Sequence, residues 1–194
     1  PEIDMPGHTN AALASYPELN CSGVSPDLYT GTNVGFSTLC TDKPEVLAFV
    51  SNVITDLAHM TPGPYIHVGG DESHVTAMED YIPFISKVNG FVEKADKKMM
   101  GWDEISHANL LDGAVVQYWR HADNAIRGVD QGAKVLLSPA HKVYLDMQYD
   151  STTELGLHWA AYIEADSAHQ WDPEAIVEGL DPEAILGIES PLWS

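Results

Sequence analysis

The sequence predicts an α/β fold built on a parallel sheet, closed as a barrel and not open and doubly wound. Three observations carry this expectation. Short apolar runs of strand length alternate with segments of helical periodicity, which is the pattern of successive βα units. The runs end in polar or aromatic residues, and parallel α/β folds gather their chemistry at the carboxyl ends of strands. No GxGxxG or P-loop sequence is present, so the usual reason for an open nucleotide-binding sheet is missing. In a barrel, all the strand ends ring one pocket.

The elements follow in order. Asp42 to Met60 reads as a helix, with Thr41 or Asp42 as cap and Pro44 in the first turn. Val46, Leu47, Phe49, Val50, Val53, Ile54 and Leu57 recur there at helical spacing. "TPGP" breaks the chain, and "YIHV" is a short buried strand ending at Gly69-Gly70. A second helix is expected between Met78 and Lys97, with Pro83 near its beginning, and "KMMGWDE" follows as strand and loop. "GAVVQYW" is a strand, "ADNAIRGVDQG" a short helix closed by Gly132, and "AKVLLSP" a strand. "WDPEAIVEGL" is expected to open a further helix with Pro173 in its first turn, and "ILGIES" is the last strand. No repeat, low-complexity tract or linker interrupts the series.

The 194 residues, 44% of them hydrophobic, are enough for one domain with a real core. The opening "PEIDMPGH" reads like the interior of a protein. A fragment is therefore expected, and the lack of a signal peptide carries no weight. Nine basic residues stand against 29 acidic ones, a net charge of -20. Such a surface repels phosphate backbones and anionic lipid, so neither a nucleic-acid nor a membrane partner is expected. Cys21 and Cys40 flank a stretch rich in Ser, Gly, Pro, Thr and Asn. Without a C-x-x-C pair a zinc ribbon is out. A disulfide tying down the loop is favoured over two unrelated thiols, and it implies an oxidising, secreted or otherwise extracytoplasmic setting.

Five tryptophans are many for a short acidic chain, and Trp102, Trp119 and Trp193 stand at strand ends. Indole faces stack on the C–H faces of sugar rings, and carboxylates accept hydrogen bonds from sugar hydroxyls. A lone Trp is ordinarily a core anchor, but several beside carboxylates point to a saccharide pocket. Asp71 and Glu72 are adjacent at the end of "YIHVGG". A buried carboxyl beside a carboxylate resists ionising, so one of the two can serve as a general acid while the other stays charged. Being neighbours, they are expected to face different parts of a substrate. The two glycines are expected to let a ligand approach the backbone.

"HVGGDE", His67 to Glu72, resembles the His-x-Gly-Gly-Asp-Glu signature of the family 20 glycoside hydrolases, the β-N-acetylhexosaminidases. "PEIDMPGH" before it, and "GWDE", "QYW", "YLDMQYD", "GLHWA" and "PLWS" after it, extend the likeness over essentially the whole chain. The resemblance implies a (β/α)8 barrel, incomplete here and running from about the end of strand three through strand eight. Residues 1–194 would then be part of one catalytic barrel domain.

It also implies retaining, substrate-assisted hydrolysis of terminal N-acetylglucosamine or N-acetylgalactosamine residues through an oxazolinium intermediate. No cofactor and no metal are implied. The partner is an oligosaccharide or glycoconjugate containing N-acetylhexosamine. Glu72 would be the general acid and then base. Asp71 would hold the acetamido N–H and Tyr144 the acetamido oxygen. Trp102, Trp119 and Trp193 would wall the pocket, Asp146 would bind ring hydroxyls, and Trp159 would form the rim toward the next sugar. His8 would sit near Glu72, with Asp4 behind it. His67 is expected to pack behind the strand, His74 to lie on the surface, and Asp103 and Glu104 to support their loop.

The family's sugar-gripping arginine on the first strand, and the second-strand aspartate that partners the histidine, have no counterpart in this sequence. A glutamate that follows "LWS"-type endings would fall just past Ser194. The isolated chain is therefore expected to pair with the remainder of its barrel, or with itself. Two other readings compete. A metal-dependent barrel hydrolase using Asp71, Glu72, His67 and His74 is disfavoured by the absence of an HxH pattern. A non-catalytic carbohydrate-binding fragment is disfavoured by retention of both Asp71 and Glu72.

Overall fold

The computed structural model describes residues 1–193; Ser194, the end of the "PLWS" motif, lies outside them. Five parallel strands form one sheet in sequence order: β1 (Tyr65–His67), β2 (Lys98–Trp102), β3 (Val115–Tyr118), β4 (Lys134–Leu137) and β5 (Ile185–Ile188). β1 is lengthened on its outer side by residues 1–5, whose backbone bonds His67 and Val68 in parallel register through Glu2. Among the described residues no pairing joins this side to β5. The sheet is the open wall of an incomplete barrel.

Between the strands lie α1 (Asn10–Ser15), α2 (Pro44–Met60), α3 (Met78–Lys94), α4 (Ala122–Asp130), α5 (Ala140–Val143) and α6 (Ala165–His169). α2 buries Val46, Val50 and Ile54, one stripe at four-residue spacing, and α3 buries Tyr81, Phe84, Ile85, Val88 and Val92. These stripes meet Ile66, Val68 and Met99 of the sheet in the principal core. β3 is buried throughout, as a central parallel strand covered on both faces must be. β5 alternates between half-buried and exposed positions, with Leu186 and Ile188 turned outward.

Two expectations need correction. Neither Thr41 nor Asp42 caps α2. A turn from Cys40 to Lys43 brings Lys43 to the cap position without a side-chain bond, and Pro44 begins the helix with no N–H to satisfy. Pro83 lies a turn and a half into α3, in its first half, as expected. "WDPEAIVEGL" forms turns, not a helix. Val177 and Leu180 instead anchor it against Tyr118, Val135 and Leu137. Cys21 and Cys40 are joined by a disulfide, and Asn10 holds the intervening loop through bonds to the backbone of Asp27 and Tyr29.

Candidate active site

The segment after β1 turns sharply at Gly69 and Gly70, both at positive φ. The protein's own packing already requires both glycines. A Cβ on Gly69 would overlap the Asp4 carboxylate, and one on Gly70 would strike Ile105. Glu72 then adopts a left-handed backbone, φ 47°, and His8 on the facing loop does the same, φ 55°. Such conformations are costly for residues with a Cβ and collect at functional sites.

Their effect is to bring both carboxyls to one imidazole. His8 Nε2 lies 3.3 Å from Asp71 Oδ2 and 3.4 Å from Glu72 Oε2. The positive φ at Glu72 breaks the alternation of an extended chain, so two neighbouring carboxyls reach the same imidazole. Hydrogen bonds to Asp71 and then Glu72 push His8 up to about 10, so it is a cation at neutral pH. Behind it Asp4 is pushed up to about 7, by burial first and then by the charge of Asp71. The Oδ1 atoms of Asp4, Asp71 and Asp146 are all buried without a protein partner.

Five aromatic side chains close a ring beside these carboxyls. Centroids are 6.4 Å apart for Trp102 and Trp119, 6.1 Å for Trp119 and Trp159, and 5.8 Å for Trp159 and Tyr144. Tyr144 and Trp193 are 6.1 Å apart, and Trp193 and Trp102 complete the circuit at 6.0 Å. Burial, and next the charge of Asp71, push the Tyr144 phenol well above its ordinary value, which keeps it a hydrogen-bond donor. All five had been singled out in the sequence, from segments as distant as the end of β2 and the stretch after β5.

Carboxylates fix two of the walls. Trp102 donates its Nε1–H to Glu2 Oε1 at 2.9 Å, and Trp119 donates to Glu104 Oε2 at 3.1 Å. Asp103, fully buried, accepts the backbone N–H groups of Trp119, Arg120 and His121 and a side-chain bond from Asn124. This is the loop support expected of Asp103 and Glu104. Glu2 was missed; its only signal was a place beside Asp4 and His8 in "PEIDMPGH". His67 packs behind β1, edge-on to Trp102, with Nδ1 3.2 Å from Glu2 Oε1, and His74 is exposed.

Asp4, His8 and Asp71 present ligand-type atoms within 4.8 Å of one another, the one acidic corner of the site where a cation could sit. Bonds from His8 already engage Asp71 and Glu72 there.

Comparison with known proteins is consistent along the whole chain. The family model described as glycosyl hydrolase family 20, catalytic domain, matches residues 1–194. The chain is 47% identical to a beta-N-acetylhexosaminidase of Cellulomonas fimi, over 100% of this chain and 40% of that protein. It superposes on the solved family 20 beta-N-acetylhexosaminidase of Streptomyces coelicolor with a TM-score of 0.96 at 48% identity, covering 100% of this chain and 41% of that one. A Vibrio harveyi exo beta-N-acetylglucosaminidase, solved in complex with N-acetylglucosamine, gives 0.79 at 29% identity, covering 100% and 34%. The chain thus spans about two-fifths of the length of the first relatives it matches.

Proposed function

Because the chain belongs to glycosyl hydrolase family 20, we propose that it carries the catalytic centre of a retaining β-N-acetylhexosaminidase. The observation that carries this reading is the closed aromatic ring with Asp71, Glu72 and His8 beside it. The ring suits a sugar bearing an apolar acetamido methyl.

In this reading the acetamido oxygen of the substrate attacks the anomeric carbon while the glycosidic C–O bond breaks. The departing oxygen keeps the bonding electron pair and takes a proton from Glu72. Asp71 accepts the acetamido N–H and faces the positive oxazolinium that results; Tyr144 donates to the acetamido oxygen and aligns it. As Glu72 becomes a carboxylate, the His8 imidazolium stands 3.4 Å from it and offsets the new charge. Water then attacks the anomeric carbon, giving its proton to Glu72, and the acetamido group is regenerated. Asp146 binds ring hydroxyls, and Trp159, half exposed, borders the position of the leaving sugar.

Release of a chromogen from an N-acetyl-β-glucosaminide by the full-length protein, unaffected by chelator and absent with the simple glucoside, is the expected result. Equal turnover of the glucoside, or loss of activity with chelator, would reject the proposal. The Cys21–Cys40 disulfide further supports an extracytoplasmic site of action.

A further inference from the structure

Arg120 and Arg127 are the only arginines in a chain with 29 carboxylate residues, and both line one cleft. It lies between the loop after β2 and the start of α4, with a volume of about 470 Å³, in the range of small-molecule sites. His107, His121, Glu104, Asp123 and Asn124 complete its polar lining. Among the described residues neither guanidinium lies within ion-pair distance of any carboxylate. Lys43, Lys97, Lys98 and Lys134, by comparison, spend their ammonium groups on backbone carbonyls.

Most of the guanidinium donors are free. Arg127, only half exposed, uses Nη1 on Asn124 Oδ1 at 2.6 Å and on His107 Nε2 at 3.4 Å, leaving its other nitrogens unengaged. The Arg120 guanidinium makes no hydrogen bond among the described residues and lies 5.7 Å from the centre of the Trp119 ring. Glu104 does not oppose an anion as its position suggests, since burial and Asp103 push it up to about 8 and its oxygen faces Trp119. The backbone amides of Arg120 and His121, just before α4, are already taken by Asp103, so the two guanidinium groups are the feature that remains.

We propose that this cleft binds the oxyanion of an acidic saccharide, a carboxylate or a sulfate, carried by the glycan whose N-acetylhexosamine occupies the aromatic ring. Trp119 is common to both places, one side in the ring and its face under Arg120. A planar guanidinium pairs two donors with either anion. The proposal rests on the hexosaminidase reading for the second sugar, but not for the anion site itself.

Isothermal titration of the full-length protein at fixed ionic strength, with glucuronate, inorganic sulfate and N-acetylglucosamine separately, tests it. Glucuronate or sulfate is expected to bind, and Arg120→Gln and Arg127→Gln are each expected to weaken that binding about tenfold. Arg127→Lys, which keeps the charge and guards against misfolding, should weaken it less. Sulfate binding alone assigns the cleft to sulfated sugars, and glucuronate binding alone to uronic acids. Binding of N-acetylglucosamine with neither anion bound, or anion binding that survives both substitutions, overturns the cleft. Failure of N-acetylglucosamine to bind while the anions do overturns the hexosaminidase reading and leaves the cleft standing.

Discussion

Trp119 donates its indole N–H to Glu104, and Glu104 lies beside the fully buried Asp103. Four donors surround Asp103, whereas Trp119 is the side chain that reaches Glu104. Glu104 is accordingly the carboxyl of this pair pushed up, to about 8, by burial and then by Asp103. A carboxyl raised in the folded state holds its proton more tightly than in the unfolded chain. Its contribution favours folding at low pH and is lost as pH rises from about 4.5 through about 8. Asp4, raised to about 7, acts in the same direction. Thermal denaturation should therefore show stability falling from about pH 5 to pH 8, and Glu104→Gln should flatten the fall. An equal slope in the variant would count against this account.

His8 carries the opposite charge but the same slope. Raised to about 10, it stabilises fully below about 6.5 and loses that effect as pH climbs through 10. Replacing it with Gln removes the cation that faces Glu72 as the leaving oxygen is protonated. The expected result is a fall in kcat of about 10²-fold with a smaller change in KM. An unchanged kcat would show that Glu72 does not depend on His8.

Glu72→Gln should lose most activity on substrates with poor leaving groups, which need the proton. Asp71→Asn should impair all N-acetyl substrates alike, because it removes the charge opposite the oxazolinium. Hydrolysis rates across aryl leaving groups of differing acidity decide between these profiles. A uniform loss in Glu72→Gln contradicts its role as acid.

The disulfide closes a loop of 19 residues' separation. Its removal by Cys21→Ser with Cys40→Ser should cost about 3 kcal/mol on the chain-entropy account. Denaturant unfolding measures the loss, and non-reducing mass spectrometry should find the native protein two hydrogens lighter than the reduced form. Two free thiols in native protein would refute the linkage.

The 194 residues expressed alone should associate and hydrolyse little substrate. Leu186, Ile188, Leu192 and Trp193 are each close to half exposed or more at the β5 side of the open sheet, and unpaired parallel edges recruit partners. Light scattering on a size-exclusion column is the direct measurement. A monodisperse, fully active monomer would contradict it.

Much of this was legible in the sequence. Helical spacing from Val46 to Leu57 and from Tyr81 to Val92 reports burial directly, and so does the apolar run of β3. The aromatic ring was legible because its members sit at strand ends or in motifs of known order. The orientation of Glu72 was not, since a positive φ at a residue other than glycine is imposed by its surroundings and leaves no local sign. The failed helix at Trp171–Leu180 has a similar cause: the anchoring of Val177 and Leu180 in a distant core overrides a favourable local pattern. Glu2 and the unpaired arginines are tertiary facts, defined by what does or does not come near them.

The aromatic ring also has an optical meaning. Four indoles and a phenol, each within 6.4 Å of the next, form a closed set of coupled chromophores. Trp171, the fifth tryptophan, belongs to none of these pairs and is tethered to the backbone of Ala168. Excitation absorbed by one indole of the set is expected to be shared with its neighbours, and a strong near-ultraviolet dichroism from this locus is expected of the native protein. A molecule that enters the ring changes the surroundings of these chromophores, so the ring is a built-in spectroscopic reporter of its own occupancy.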